Sequence, residues 1–144
     1  MEILKKFMPL ESGEEVICYL EGDAYNISPS IFARLMSFFE SIIAWILGSP
    51  KKAHVIVTSR RVIVIEIQKF LWIFIGSTSA TSIMPRSIGS LGYQFSRDFI
   101  FFRSHYLEFC SSSKSALVKS KSGKDRVYEM IKSALSLADK VTTK

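Results

Sequence analysis

Two runs decide the fold: Ala53-His-Val-Ile-Val-Thr58 and Arg61-Val-Ile-Val-Ile-Glu-Ile67, parted by Ser59-Arg60. Both are dominated by β-branched residues, which fit a pleated strand better than a helix. Two such runs separated by two polar residues predict a tight antiparallel hairpin. Ser-Arg is not the Asn-Gly type of dipeptide that hairpin turns favour.

Upstream, Glu15 to Glu21 (EVICYLE) alternates in the manner of a strand, which Gly22-Asp23 is expected to end. Residues 2–8 suit a short helix broken by Ser12-Gly13. Ser28-Pro29 resembles a helix N-cap followed by proline at the first helical position. From there the pattern predicts a helical insertion over about 29–48, between the first and second strands. Its small or polar residues (Ser30, Arg34, Ser37, Ser41, Ala44) form one narrow stripe, and most of the remaining circumference is apolar. A helix so apolar needs cover. Ile31–Leu47 has 17 residues, the lower limit for crossing a bilayer, and Glu40 would sit mid-membrane at about 2.5–3.5 kcal/mol. Spanning is therefore disfavoured. A membrane interface, another subunit or the core remain as its cover.

Downstream, Phe70 to Ile75 (FLWIFI) is an unbroken apolar run, followed by what reads as a soft linker over Gly76 to Ser82. Ile88–Phe95, Phe99–Arg103, Tyr106–Cys110 and Ala116–Ser120 read as further short strands, so an antiparallel barrel or sandwich is expected. A C-terminal helix is predicted over about 124–141. Val127, Met130, Ile131, Ala134, Ala138 and Val141 form its apolar stripe, and Ser122 with Asp125 resembles a capping box.

At 144 residues the chain is long enough for one core without a disulfide or metal staple. Its mean hydropathy of +0.22 argues against disorder and leaves surplus apolar surface to be placed. Cys18 and Cys110 lie in apolar runs without metal-ligand spacing, which points to buried thiols in a reducing compartment. No secretory leader is expected, because Met1 to Met8 is too short and too charged for an apolar leader segment.

The net charge of +6 is uneven: residues 1–30 carry −4 and the rest +10. A basic body suits an anionic partner. Nucleic acid is the less favoured one. The basic run Lys114, Lys119, Lys121, Lys124 and Arg126 surrounds a Ser/Gly loop, and the aromatics fall in core-like runs rather than between the bases. Catalysis is not expected. The only histidines, His54 and His105, have no paired carboxylate or neighbouring nucleophile in sequence, and no glycine-rich phosphate loop is present.

The order of strand, helical insertion, hairpin, further strands and final helix resembles the pleckstrin-homology-like (PH-like) superfold, most closely its bacterial PH and GRAM-type members. Val55 to Ile65 resembles their V-x-x-T-x-x-R hairpin, and Ile83-Met84-Pro85 followed by Ile88 resembles their I-P-x-x-x-I entry to the next strand pair. The resemblance implies a single domain over 1–144, mainly β. It also implies a barrel of two near-orthogonal antiparallel sheets with a C-terminal amphipathic helix. It further implies a binding rim made by the loops after the first, third and sixth strands, here Asp23–Lys52, Lys69–Thr81 and about Ser111–Lys114.

On that frame the two most apolar stretches share one end, and lysines flank them. Phe38, Phe39, Trp45, Leu71 and Trp72, with Lys51, Lys52 and Lys69, are the expected interface residues. The resemblance implies a non-catalytic binding module on an anionic membrane surface or a membrane protein, without cofactor or small-molecule substrate. It would be cytoplasmic, peripheral at the inner face of the membrane. The alternative is a homo-oligomer that uses the insertion helix as its interface. Inositol-phosphate recognition is disfavoured, because the second strand offers only His54 where family members place a [K/R]-x-R.

Overall fold

The structure, a computed structural model, describes residues 2–25, 42–43, 46–71, 73–98, 102–112 and 115–142. A short helix α1 (Glu2–Phe7) precedes β1 (Val16–Tyr25). The hairpin of β2 (Lys51–Thr58) and β3 (Val62–Phe70) follows, and then β4 (Phe74–Ile83). A single 3-10 turn at Pro85–Ser87 leads to β5 (Ile88–Asp98), β6 (Phe102–Ser111), β7 (Ser115–Ser120) and the closing helix α2 (Gly123–Thr142).

All pairings are antiparallel and join the strands in one seven-stranded sheet, in the order β4-β3-β2-β1-β7-β6-β5. Two near-orthogonal sheets were the expectation; the hydrogen bonding links both halves through β1. That strand pairs with β2 over Val16–Asp23 and with β7 over Gly22–Tyr25. Gly22-Asp23 therefore does not end it. Glycine stands at position 22 because β7 crosses there: a Cβ would collide with the Lys119 carbonyl oxygen.

The unbroken apolar character of β2 and β3 comes from burial on both faces. On one face Val55, Val57, Val62 and Val64 pack with Leu20, Leu107, Phe109 and Val118 beneath Val127, Met130, Ala134 and Leu137 of α2. On the other, Ile56, Ile63, Ile65 and Ile67 pack with Leu4 of α1, and Ile3 and Phe7 close around them. The first cluster is the main core. The second is a thinner layer against which the N-terminal helix packs, together with Met8 and Leu10 that follow it.

The turn between β2 and β3 is fixed by the Thr58 and Arg61 of the hairpin motif. The Arg61 guanidinium donates to both oxygens of Glu14 at 2.9 Å, through Nε and Nη2, in the planar fork that arginine makes best. The Thr58 hydroxyl donates to Glu14 Oε1 at 2.6 Å, and the Glu11 amide donates to Oε2 at 2.8 Å. The Arg61 pairing first, with these bonds behind it, holds the buried Glu14 carboxyl at about 2, down from 4.5.

Three expectations need correcting. The stretch expected as a linker, Gly76–Ser82, is strand β4. The runs read as two strands around Arg103–Tyr106 are one strand, β6, in which Ser104 is buried; residues 99–101 lie outside the described ones. At the start of α2 it is the Ser120 hydroxyl that donates to the Gly123 carbonyl at 3.1 Å and accepts from the Ser122 amide at 3.2 Å. Most of the expected insertion helix lies outside the described residues. Within them, Ile42, Ile43 and Ile46 are helical, and the Leu47 amide donates to the Ile43 carbonyl at 2.8 Å.

Candidate docking surface

The β3–β4 hairpin outruns the cover on both faces. Cluster members on its two strands end at Ile67 and Ala80. Beyond them Phe70, Leu71, Ile73, Phe74 and Ile75 are 54, 52, 77, 62 and 47% exposed. The strands pair to the tip, Phe70 against Phe74, with a register shift between Gln68 and Lys69. The expected rim loop Lys69–Thr81 is thus a three-residue turn between long strands. Leu71 turns the chain with φ 50°, in the left-handed region that bulky residues avoid. An apolar run is solvent-exposed here because the hairpin projects past the helices that bury the rest of its strands.

The described part of the insertion reaches the same end. The Lys69 amide donates to the Pro50 carbonyl at 3.3 Å, which sets residues 46–50 beside the base of the tip. Ile42, Ile43, Ile46 and Leu47 are all exposed. Lys51 is exposed at the start of β2, opposite Gln68, and Lys69 is half-buried at the base of the tip. Lys52 is drawn towards Glu21, with Nζ 3.9 Å from Oε1. Of the expected interface residues, Leu71, Lys51 and Lys69 share this end of the sheet and Lys52 points to a carboxylate. Phe38, Phe39, Trp45 and Trp72 lie outside the described residues. Phe70, Ile73, Phe74 and Ile75 belong to the surface as well; the unbroken FLWIFI run was their signal in the sequence.

The polar clusters lie elsewhere and are internally satisfied. His54 is buried on β2, with Nδ1 2.7 Å from the Tyr19 hydroxyl, and that hydroxyl donates to Glu21 Oε2 at 3.3 Å. Tyrosine has one hydrogen to give, so both contacts together assign the Nδ1 hydrogen to His54. Burial, with the Glu21 charge behind it, pushes the Tyr19 hydroxyl up to about 12. Burial also lowers His54 below its ordinary 6.5, against the pull of Glu21. Lys121 donates to Glu21 Oε1 at 3.0 Å and keeps that carboxyl below its usual range. On β5 and β6 a second pair repeats the contact: the Tyr93 hydroxyl lies 2.7 Å from His105 Nδ1, with Tyr128 of α2 stacked on Tyr93 at 4.9 Å. Among the described residues no three of His, Cys, Asp and Glu gather as metal ligands, and no helix is long and apolar enough to cross a membrane.

No family model matches the chain, and no curated protein matches it. Among solved structures it is similar to the crystal structure of a pleckstrin homology domain from Shewanella amazonensis SB2B. Sequence identity is 20%, the match covers 93% of this chain and 96% of that one, and the TM-score is 0.48. The described residues form seven antiparallel strands in one sheet, with a helix packed on it at the C-terminal end.

Proposed function

We propose that the chain is a non-catalytic binding module that docks on an anionic membrane surface through the β3–β4 tip. The carrying observation is the tip itself: five exposed large apolar residues between Phe70 and Ile75, with Lys69 and Lys51 at their base. Apolar patches of this kind mark interaction sites. From Lys69 to the turn the chain advances roughly 7–10 Å at strand rise, the depth to which interfacial elements enter a bilayer. Lysines at the base would then meet lipid phosphates, each contributing about 1 kcal/mol. Exposed Ile43, Ile46 and Leu47 would widen the apolar contact.

The same reading favours general anionic lipid over a specific inositol phosphate. Arg61, which could have served a phosphate, is committed to Glu14 at the far end of the hairpin. Attachment to the inner face of a cytoplasmic membrane is the setting that fits.

Co-sedimentation with phosphatidylglycerol vesicles tests the reading. Binding is expected at low salt, weaker at high salt, and absent with neutral phosphatidylcholine. Ile73→Asp should lower it by about tenfold or more, since a charge would have to enter the interface. No binding at low salt would end the proposal and turn attention to a membrane-associated protein as the partner.

A further inference from the structure

We propose that α1 is an acid-released strap. When His54, on the face that α1 covers, takes a second ring proton, α1 lifts off the sheet and uncovers Ile56, Ile63, Ile65 and Ile67, while the rest of the fold stays in place. The attachment of the segment is one-sided. Among the described residues, no hydrogen bond or ion pair joins residues 3–8 to the sheet; Ile3, Leu4, Phe7 and Met8 hold on by apolar contact. The polar anchors begin at Pro9, whose carbonyl accepts from Arg61 Nη2 at 3.3 Å, and continue with Glu11, which Arg60 Nη1 reaches at 3.2 Å. Gly13 turns the chain with φ 75°, and the Glu14 clamp follows. The segment is thus hinged at its C-terminal end by charged groups and held along its length by apolar contact.

His54 shares a face with that contact. Its register partner on β3 is Ile65, and Ile56 stands two residues on along β2; both belong to the layer on which Leu4 packs. With the Nδ1 hydrogen given to Tyr19, the second proton must go to Nε2. Among the described residues Nε2 has no acceptor, so the charged ring would hold a buried N–H without a partner, a cost that opening towards water relieves. The surrounding charges do not offset it. From β1, Glu21 faces the ring and favours its charge, but Lys121, just past β7, and Lys52 of β2 already share that carboxylate at 3.0 and 3.9 Å. Both lysines, and the amino-terminal charge of the chain ahead of α1, oppose a further positive charge. Tyr19 keeps its hydrogen, and β3 sets apolar Ile65 opposite. Of the elements around the ring, α1 has the fewest polar ties to the sheet, so it yields first. Glu14, held at about 2, stays ionised while His54 charges, and the hinge survives.

Ile67 is two residues from Lys69, so the uncovered face would extend the apolar surface beside the docking tip. That consequence rests on the docking reading; the release itself does not. Methyl NMR on the full chain, from pH 7.5 down to 4.5, tests the release. At pH 7.5 nuclear Overhauser effects are expected between the Leu4 methyls and the isoleucine methyls of β2 and β3. On acidification they should vanish, while those between Val127 of α2 and the valine methyls of the main core persist. Uptake of Nile red, an uncharged apolar dye, should rise about threefold or more, with the same midpoint as the His54 ring-proton titration. His54→Phe keeps an aromatic ring without a titrating nitrogen. It should retain the Leu4 contacts and low dye uptake throughout, with circular dichroism checking that it is folded. Ile73→Asp should weaken vesicle binding and still release α1, which separates this inference from the docking reading. Leu4 contacts that persist at pH 4.5, a release that takes the Val127 contacts with it, a midpoint apart from that of His54, or a folded His54→Phe that still releases α1 overturns the inference.

Discussion

Glu14 shows how one buried carboxylate can stabilise a turn. Its three partners come from two places: Arg61 and Thr58 in the hairpin and the Glu11 amide in the preceding segment. Because its folded value of about 2 lies below the ordinary 4.5, the pairing stabilises fully above 4.5 and is lost as pH falls from there towards 2. The depression corresponds to roughly 3 kcal/mol at neutral pH. Glu14→Gln should therefore lower the urea-unfolding free energy by about 2–3 kcal/mol at pH 7, with the gap to the unmodified protein closing on acidification. His54 acts at higher pH. Burial lowers its folded value below 6.5, so charging it opposes folding and stability begins to fall as pH drops through 6.5. The His54 ring protons should titrate below 6.5 by NMR, and His54→Gln should flatten the stability profile between about pH 6.5 and 5. A His54 titrating above 6.5 would contradict its burial.

At the scale of elements, two positions hold the sheet and α2 together. Gly22→Ala would force a Cβ into the Lys119 carbonyl, so β1 must part from β7; a loss of more than about 2 kcal/mol, or failure to fold, is expected in thermal denaturation. Met130 is fully buried where α2 meets the sheet, and Met130→Ala should cost about 2–5 kcal/mol. The same elements show what sequence can and cannot reveal. The β2–β3 hairpin and α2 were legible because burial leaves a periodic or continuous apolar trace. The first half of β4 was not, since a strand exposed on both faces has no alternation to display, and Gly-Ser-Thr-Ser reads as linker. β1 was cut short because a glycine needed for close backbone approach looks the same as a glycine needed for a turn. In β6, Ser104 and His105 hid a strand whose polar side chains find partners inside the fold.

The whole molecule is a sheet that must be covered twice. α2 covers one face and α1 covers part of the other, so the N-terminal segment is structural. Removing residues 1–8 should expose Ile56, Ile63, Ile65 and Ile67, lower the melting temperature and raise binding of an apolar dye; an unchanged melting temperature would show that the outer layer contributes nothing. The sequence suggested a helix at 2–8 but gave no clue to what it covers, because a partner surface is a property of the assembled sheet. For the candidate site, the FLWIFI run and its flanking lysines were visible from composition, while its shape as a projecting tip depends on where the two covers stop. The tip also bears on how the molecule balances competing demands. Leu71 holds a left-handed backbone that costs a leucine about 1–2 kcal/mol and a glycine almost nothing. Leu71→Gly should accordingly melt at a higher temperature than the parent and yet adhere less well to vesicles, because the fold keeps at this exposed turn a side chain that its own architecture would be steadier without.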